Sequence, residues 1–247
     1  MPKLTIHLLT TLLLLVLSAA SLAADFDRAR PERLGMSSAR LERLDAVLKS
    51  YVDNDQVAGQ VVMVLRRGRI AYASANGMQD IEAGIPMSED TMFRIASQTK
   101  AIVSTGIMIL HERGALDISH NLERYIPEWA DMQVAVANDD GSYKLEPARR
   151  SITLRNLLTH TGGMSYGSGP AADEWKAAGF QGWYFADRDE PVADTIARMA
   201  SLPLDEHPGE RWIYGYNTDI LGAVIEKASG MDLNSFLKQE IFEPLGM

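Results

Sequence analysis

The sequence predicts an α/β protein of the α+β type, a helical region joined to an antiparallel sheet. Three observations carry this expectation. A valine-rich run at 60–65 is broken by Arg67-Gly68 and resumes as Ile70-Ala71-Tyr72-Ala73, the pattern of a β-hairpin. Against these two strands stand five or six segments whose apolar residues recur at spacings of three and four, as in helices that bury one face. One of them, 101–110, is apolar nearly all round and is expected to lie buried in the middle of the domain.

The elements follow in order. Ser37 or Ser38 caps a first helix, whose stripe is Leu41, Leu44, Leu48 and Tyr51. The hairpin pairs 57–66 with 69–76 and turns at Gly68. Gly77, Gly84 and Pro86 mark a loop that leads to the apolar helix, which Gly114 ends. Residues 131–150, with Asn138-Asp139-Asp140-Gly141, read as an excursion. Thr153 caps a short helix to Thr159, and 162–182 reads as a long glycine-bearing loop holding Tyr166 and Trp175, with Trp183 and Tyr184 just beyond. Further helices run from Pro191 to about 201, over 217–228 with Gly230 as the stop, and from a cap at Asp232 to Phe242. A lone hairpin is marginal as a sheet, so what should pair with it is expected to lie elsewhere in the chain or to be missing.

Composition excludes several classes of function. At 247 residues the chain is long enough for one large domain or two small ones, and 46% hydrophobic content is ordinary for a globular protein. The net charge of -9, without a basic cluster, argues against nucleic acid as a partner. There is no cysteine, and the five histidines lack metal-ligand spacing, so no metal or cofactor is expected. Residues 1–24 read as a signal peptide: Lys3, an apolar stretch over 8–17, then Ser21-Leu22-Ala23 as a cleavage signal. The apolar stretch falls short of the ~18 residues that span a bilayer. A periplasmic or secreted protein without a membrane anchor after cleavage is the expectation.

Three motifs carry chemistry. Ser97-Gln98-Thr99-Lys100 opens the apolar helix, and positions three apart on a helix share a face. Ser97 would be a nucleophile with Lys100 as its base, burial drawing the lysine down from ~10.4. The second Ser-x-x-Lys, Ser235 to Lys238, lies in an amphipathic helix and reads as solvated surface. Gly163-Met164-Ser165-Tyr166-Gly167 matches the nucleophile elbow of α/β-hydrolases, with Asp187, Asp205 and His207 in the right chain order, but an elbow needs a strand before it, and here the preceding segment has helical period. Trp212-Ile213-Tyr214-Gly215-Tyr216-Asn217 follows a Pro-Gly loop and enters a helix, a place where a phenol could be held to relay a proton.

Together these residues resemble a known family. The stretch 93–100, Phe-Arg-Ile-Ala-Ser-Gln-Thr-Lys, resembles the nucleophile motif of the class C β-lactamase-related serine hydrolases, a group with penicillin-binding DD-peptidases and family VIII carboxylesterases. Residues 157–163, Leu-Leu-Thr-His-Thr-Gly-Gly, look like its shared Leu-Leu-x-His-x-Ser/Thr-Gly turn, and 208–214 followed by Asp219-Ile220-Leu221-Gly222 resembles the stretch with its catalytic tyrosine. The resemblance implies a β-lactamase/transpeptidase-like fold and one serine hydrolase domain over 25–247. It matches Ser97 to the acyl-accepting nucleophile, Lys100 to its base partner and Tyr214 to the tyrosine of Tyr-x-Asn. Here the residue two after Tyr214 is Tyr216, with Asn217 one later, which looks more like the esterase branch. Tyr216, Asn217 and Trp183 are the candidate substrate-binding residues.

The family's later edge strand, with Lys-Thr-Gly, His-x-Gly or Trp-x-Gly, has no counterpart after Tyr214, so a C-terminal half is expected to be missing. The resemblance implies acyl-enzyme hydrolysis of a small-molecule ester, with β-lactam or peptide substrates next. The alternatives are a non-catalytic penicillin-recognising or interaction domain, an inactive fragment, and an α/β-hydrolase that uses Ser165.

Overall fold

The valine run folds as its pattern requires. Strands β1 (Gly59–Arg66) and β2 (Arg69–Asp80) pair antiparallel from Gly59 opposite Gly77 to Arg66 opposite Arg69. Arg67 and Gly68 between them both have positive φ, 52° and 68°, the primed two-residue turn whose twist matches that of the strands. The structure, a computed structural model, describes residues 26–247; the expected leader lies outside them, as does the side chain of Asp187. Among the described residues, those up to Ile95 form one compact unit and Ala96–Met247 a second.

In the first unit, helix α1 (Ser38–Asp53) packs along β2, where Asp45 accepts hydrogen bonds from the Tyr72 and Ser74 hydroxyls, both at 2.8 Å. The helix begins where expected, but neither serine caps it with its side chain; the Ser38 N–H is taken by the Glu32 carboxylate at 2.9 Å. The loop expected after residue 76 is instead strand. β2 runs on to Asp80 and pairs with a short β3 (Ile85–Pro86), giving the order β1-β2-β3. Gly77, a loop signal in the sequence, is a strand residue at φ 80°, where a Cβ would lie 2.4 Å from the Ala58 carbonyl oxygen.

The second unit is built around two helices, α2 (Thr99–Glu112) and α6 (Asn217–Ser229), that lie against one another. Gly106 of α2 makes the close approach possible, since a Cβ there would meet Ile225 at 2.9 Å. Ile107, Leu122, Leu154, Ile196, Leu221 and Val224 are fully withdrawn from water in this core. The helix α2 is not buried all round: Val103, Gly106, Ile107 and Leu110 are covered, whereas Met108 is 44% exposed.

The stretch 131–150, read as an excursion, holds a second antiparallel hairpin, β4 (Gln133–Ala137) and β5 (Tyr143–Pro147). Helix α3 (Leu154–Leu158) carries the expected cap, a reciprocal box between Thr153 and Asn156. The long loop contains a further helix, α4 (Ala172–Ala177), whose buried Trp175 donates its indole N–H to the Pro203 carbonyl at 3.0 Å. α5 (Val192–Met199) follows as predicted, and α6 ends at Gly230, φ 72°. α7 (Leu233–Leu237), capped by Asp232, continues through a wider turn over Lys238–Phe242. Lys238 pairs with Glu243 at 3.8 Å, both well exposed, so the second Ser-x-x-Lys is surface as expected.

Candidate active site

Ser97 lies in the tight turn Ala96–Gln98 that leads into α2, and Lys100 lies in the first turn of that helix. The residue before the nucleophile candidate, Ala96, has φ 43°, a left-handed conformation that alanine adopts only under constraint. The Lys100 Nζ is 3.4 Å from the Ser97 Oγ and 3.0 Å from the Tyr166 hydroxyl. The Tyr214 hydroxyl donates to the Ser97 Oγ at 2.7 Å, and the Lys100 Nζ stands 4.7 Å from the Tyr214 ring centre. The three residues expected to be catalytic are therefore brought together, and Tyr166 joins them.

The segment that carries Tyr214 is clamped on both sides. The Ile213 N–H donates to the His160 carbonyl at 2.8 Å. At Gly215 a Cβ would lie 2.5 Å from the Met164 carbonyl oxygen, so only glycine lets this segment lie flat on the one that carries Tyr166. Tyr166 meets the Tyr214 ring edge-on at 5.7 Å between centroids.

Tyr216 and Asn217 are not substrate-binding groups in this structure, contrary to expectation. Tyr216 is 1% exposed, stacks on Trp175 at 5.9 Å and spends its hydroxyl on the Gly182 carbonyl at 3.0 Å. Asn217, fully buried as the first residue of α6, donates to the Ile213 and Met164 carbonyls. Both turn inward because the helix starts there, and they brace the backbone behind Tyr214. Trp183 stands 74% exposed on its loop.

The elbow reading of Ser165 fails on geometry. Helix α3, not a strand, precedes it; its N–H donates to Asp205 at 2.6 Å and its Oγ accepts from the Ser168 N–H at 3.0 Å. His207 accepts the Arg149 N–H at 3.4 Å rather than meeting Ser165.

The electrostatics depart from the sequence expectation at Lys100. Burial draws its ammonium down, but the phenols of Tyr166 and Tyr214 outweigh burial and hold it above the usual lysine value. Tyr214 is lowered, chiefly by its bond to Ser97 and then by Lys100. Tyr166 is raised, because burial exceeds the pull of Lys100, so it stays a neutral phenol. Asp219, in the first turn of α6, is pushed up to about 6 by burial, against the attraction of Lys100. The sequence reading missed Tyr166, although it sits inside the glycine-bounded motif centred on Ser165. Among the described residues no group of acidic or histidine side chains is arranged to hold a metal.

A scan against family models matches the Beta-lactamase family over residues 44–247. Esterase EstB of Burkholderia gladioli is 36% identical over 222 residues, which cover 88% of this chain and 53% of the esterase. The ML-236A carboxylate methylbutanoyltransferase of Penicillium citrinum is 33% identical, over 88% of this chain and 52% of the transferase. A solved structure described as EstCE1, a hydrolase with promiscuous acyltransferase activity, superposes with a TM-score of 0.70 at 28% identity, covering 84% of this chain and 51% of its own. The chain thus spans about half the length of the curated relatives it matches.

Proposed function

Because the chain belongs to the Beta-lactamase family, whose match runs from residue 44 to 247, we propose that it is a serine hydrolase that cleaves small-molecule esters through an acyl-Ser97 intermediate. Its relatives in this serine hydrolase family include esterases and acyltransferases. The single observation that supports the reading most is the meeting of the Tyr214 hydroxyl, the Ser97 Oγ and the Lys100 Nζ within 2.7 and 3.4 Å.

In the proposed reaction Tyr214 is the base and Lys100 its electrostatic partner. A lysine held as a cation has no lone pair to accept a proton, whereas its charge favours the phenolate of Tyr214. Tyr214 takes the proton of Ser97 as its Oγ attacks the ester carbonyl. The same phenol protonates the departing alkoxide, leaving the acyl group on Ser97. A water that gives its proton to Tyr214 then attacks the acyl-enzyme. The carboxylic acid leaves and the proton returns to Ser97. The N-terminal end of α2, beside Ser97, favours the negative charge that develops on the way.

The test is turnover of a short-chain p-nitrophenyl ester. Ser97→Ala should lower that rate by about 10³-fold or more, and a fluorophosphonate probe should label the wild-type chain and not the variant. Undiminished turnover in Ser97→Ala would remove the assignment, and a wild-type chain that never labels would favour a non-catalytic recognition domain. Hydrolysis of β-lactams or D-Ala-D-Ala peptides is the next substrate class to assay.

A second reading is acyl transfer, favoured by the resemblance to the methylbutanoyltransferase. The chemistry is the same up to acyl-Ser97, with an alcohol in place of water. Product ratios in the presence of added alcohol separate the two.

A further inference from the structure

The sequence motif 157–163 has no role in the reaction above, yet its histidine touches the base. We propose that His160 is a positioning residue for Tyr214, its ring backing the phenol and its carbonyl fixing the backbone one residue earlier. This deepens the hydrolase reading and rests on it for the role of Tyr214.

Two features of His160 are costly, and both face the same segment. Its φ is 54°, the left-handed region that non-glycine residues avoid. Its Nδ1 is buried without a hydrogen-bond partner. A glycine would relieve the first cost and an apolar side chain the second. What His160 gains in exchange is contact with the Tyr214 segment. In the left-handed conformation its carbonyl accepts the Ile213 N–H at 2.8 Å. Its ring centre lies 4.9 Å from that of Tyr214, tilted by 39°, and 5.9 Å from that of Trp212, edge-on. Trp212 in turn stacks on Tyr214 at 5.9 Å, and Tyr166 meets Tyr214 edge-on. The phenol is therefore held among three rings, and His160 is the one that also grips the backbone. Burial, with Lys100 nearby, lowers the pKa of His160, so the ring backs Tyr214 as a neutral group and adds no second cation beside Lys100.

The experiment is a double-mutant cycle with His160→Asn and Tyr214→Phe. Asparagine tolerates the left-handed backbone but removes the ring. In the wild-type background His160→Asn should lower kcat for a p-nitrophenyl ester by about 10- to 100-fold, the range that a small misplacement of a catalytic group costs, with KM changed by no more than about twofold. In the Tyr214→Phe background the same change should cost less than about threefold, because the group it positions is already gone. His160→Gly, which removes the strain as well, should behave like His160→Asn. Wild-type kcat in His160→Asn overturns the proposal, as does an equal loss in both backgrounds. The tyrosine-ring NMR signals of Tyr214, identified by their loss in Tyr214→Phe, give a readout without turnover. They should shift and broaden in His160→Asn, and signals that stay in place overturn the proposal. If the wild type turns over no ester, the hydrolase reading falls, while these signals still decide whether His160 holds Tyr214.

Discussion

Replacing Tyr166 by phenylalanine isolates one bond of the site. The ring keeps its edge-on contacts with Tyr214 at 5.7 Å and with Tyr216 at 4.8 Å, and only the hydroxyl that accepts from Lys100 at 3.0 Å is lost. A hydrogen bond to a charged group contributes about 1.5–3 kcal/mol. If that energy holds the ammonium against Tyr214 during reaction, kcat/KM should fall by about 10- to 150-fold, at ~1.36 kcal/mol per tenfold. The direction of the pH effect is fixed too. Tyr166 is one of the two phenols that hold Lys100 above its usual value. Without it the ammonium loses its proton at lower pH, and the alkaline limb of the kcat/KM profile should move down. The assay is p-nitrophenyl ester turnover across pH, with thermal unfolding as a control for folding. Activity within about twofold of wild type, on an unmoved alkaline limb, would refute the assignment of Tyr166 as the anchor of Lys100.

Two further outcomes are expected. Ser165→Ala should retain ester turnover within about threefold and lose about 1 kcal/mol of stability, because its Oγ accepts the Ser168 N–H; a loss of several orders in turnover would return the elbow reading. Asp219→Asn should stabilise the fold at pH 8, measured by denaturant unfolding. The Asp219 carboxyl is pushed up to about 6 from 3.8, so its ionised form is disfavoured in the folded state, by at most about 3 kcal/mol at ~1.36 per unit. The wild type therefore gains stability as pH falls through about 6, the gain is complete below 3.8, and the advantage of the variant should shrink over that window. An advantage that does not change with pH would contradict the burial of Asp219 as its cause.

What could be read in the sequence was local. The β1–β2 turn depends on Gly68, the α3 cap on Thr153 and Asn156, and the end of α6 on Gly230, each a contact within a few residues. The β4–β5 hairpin could not be read in that way. Its strands are five residues each, its turn is polar, and β4 is fixed partly by the distant Leu204, whose carbonyl accepts the Ala135 N–H. Tyr216 and Asn217 were misplaced although the helix start at 217 was legible, because adjacency to Tyr214 does not reveal which way their side chains turn. With α6 starting at Asn217, both side chains rotate into the core. Tyr166 was in view as a letter, but what joins it to the Ser97 group is a bond from Lys100 across 66 residues.

The same long-range bonding bears on the charge of Lys100. From sequence, a lysine at the mouth of an apolar helix should lose its proton easily, and burial does act in that direction. Two phenols from distant segments outweigh it, and for that reason the proposed reaction gives the proton to Tyr214, the closer group at 2.7 Å. Ser97, Lys100, Tyr166 and Tyr214 all lie within the second unit. The donors that stabilise the oxyanion are a contribution separate from these proton transfers. Loss of one such donor costs about 10²–10³ in rate rather than all of it. Acylation of Ser97 by a fluorophosphonate, a single event that needs no turnover, is therefore the measurement that should survive in this chain even where steady-state hydrolysis is slow.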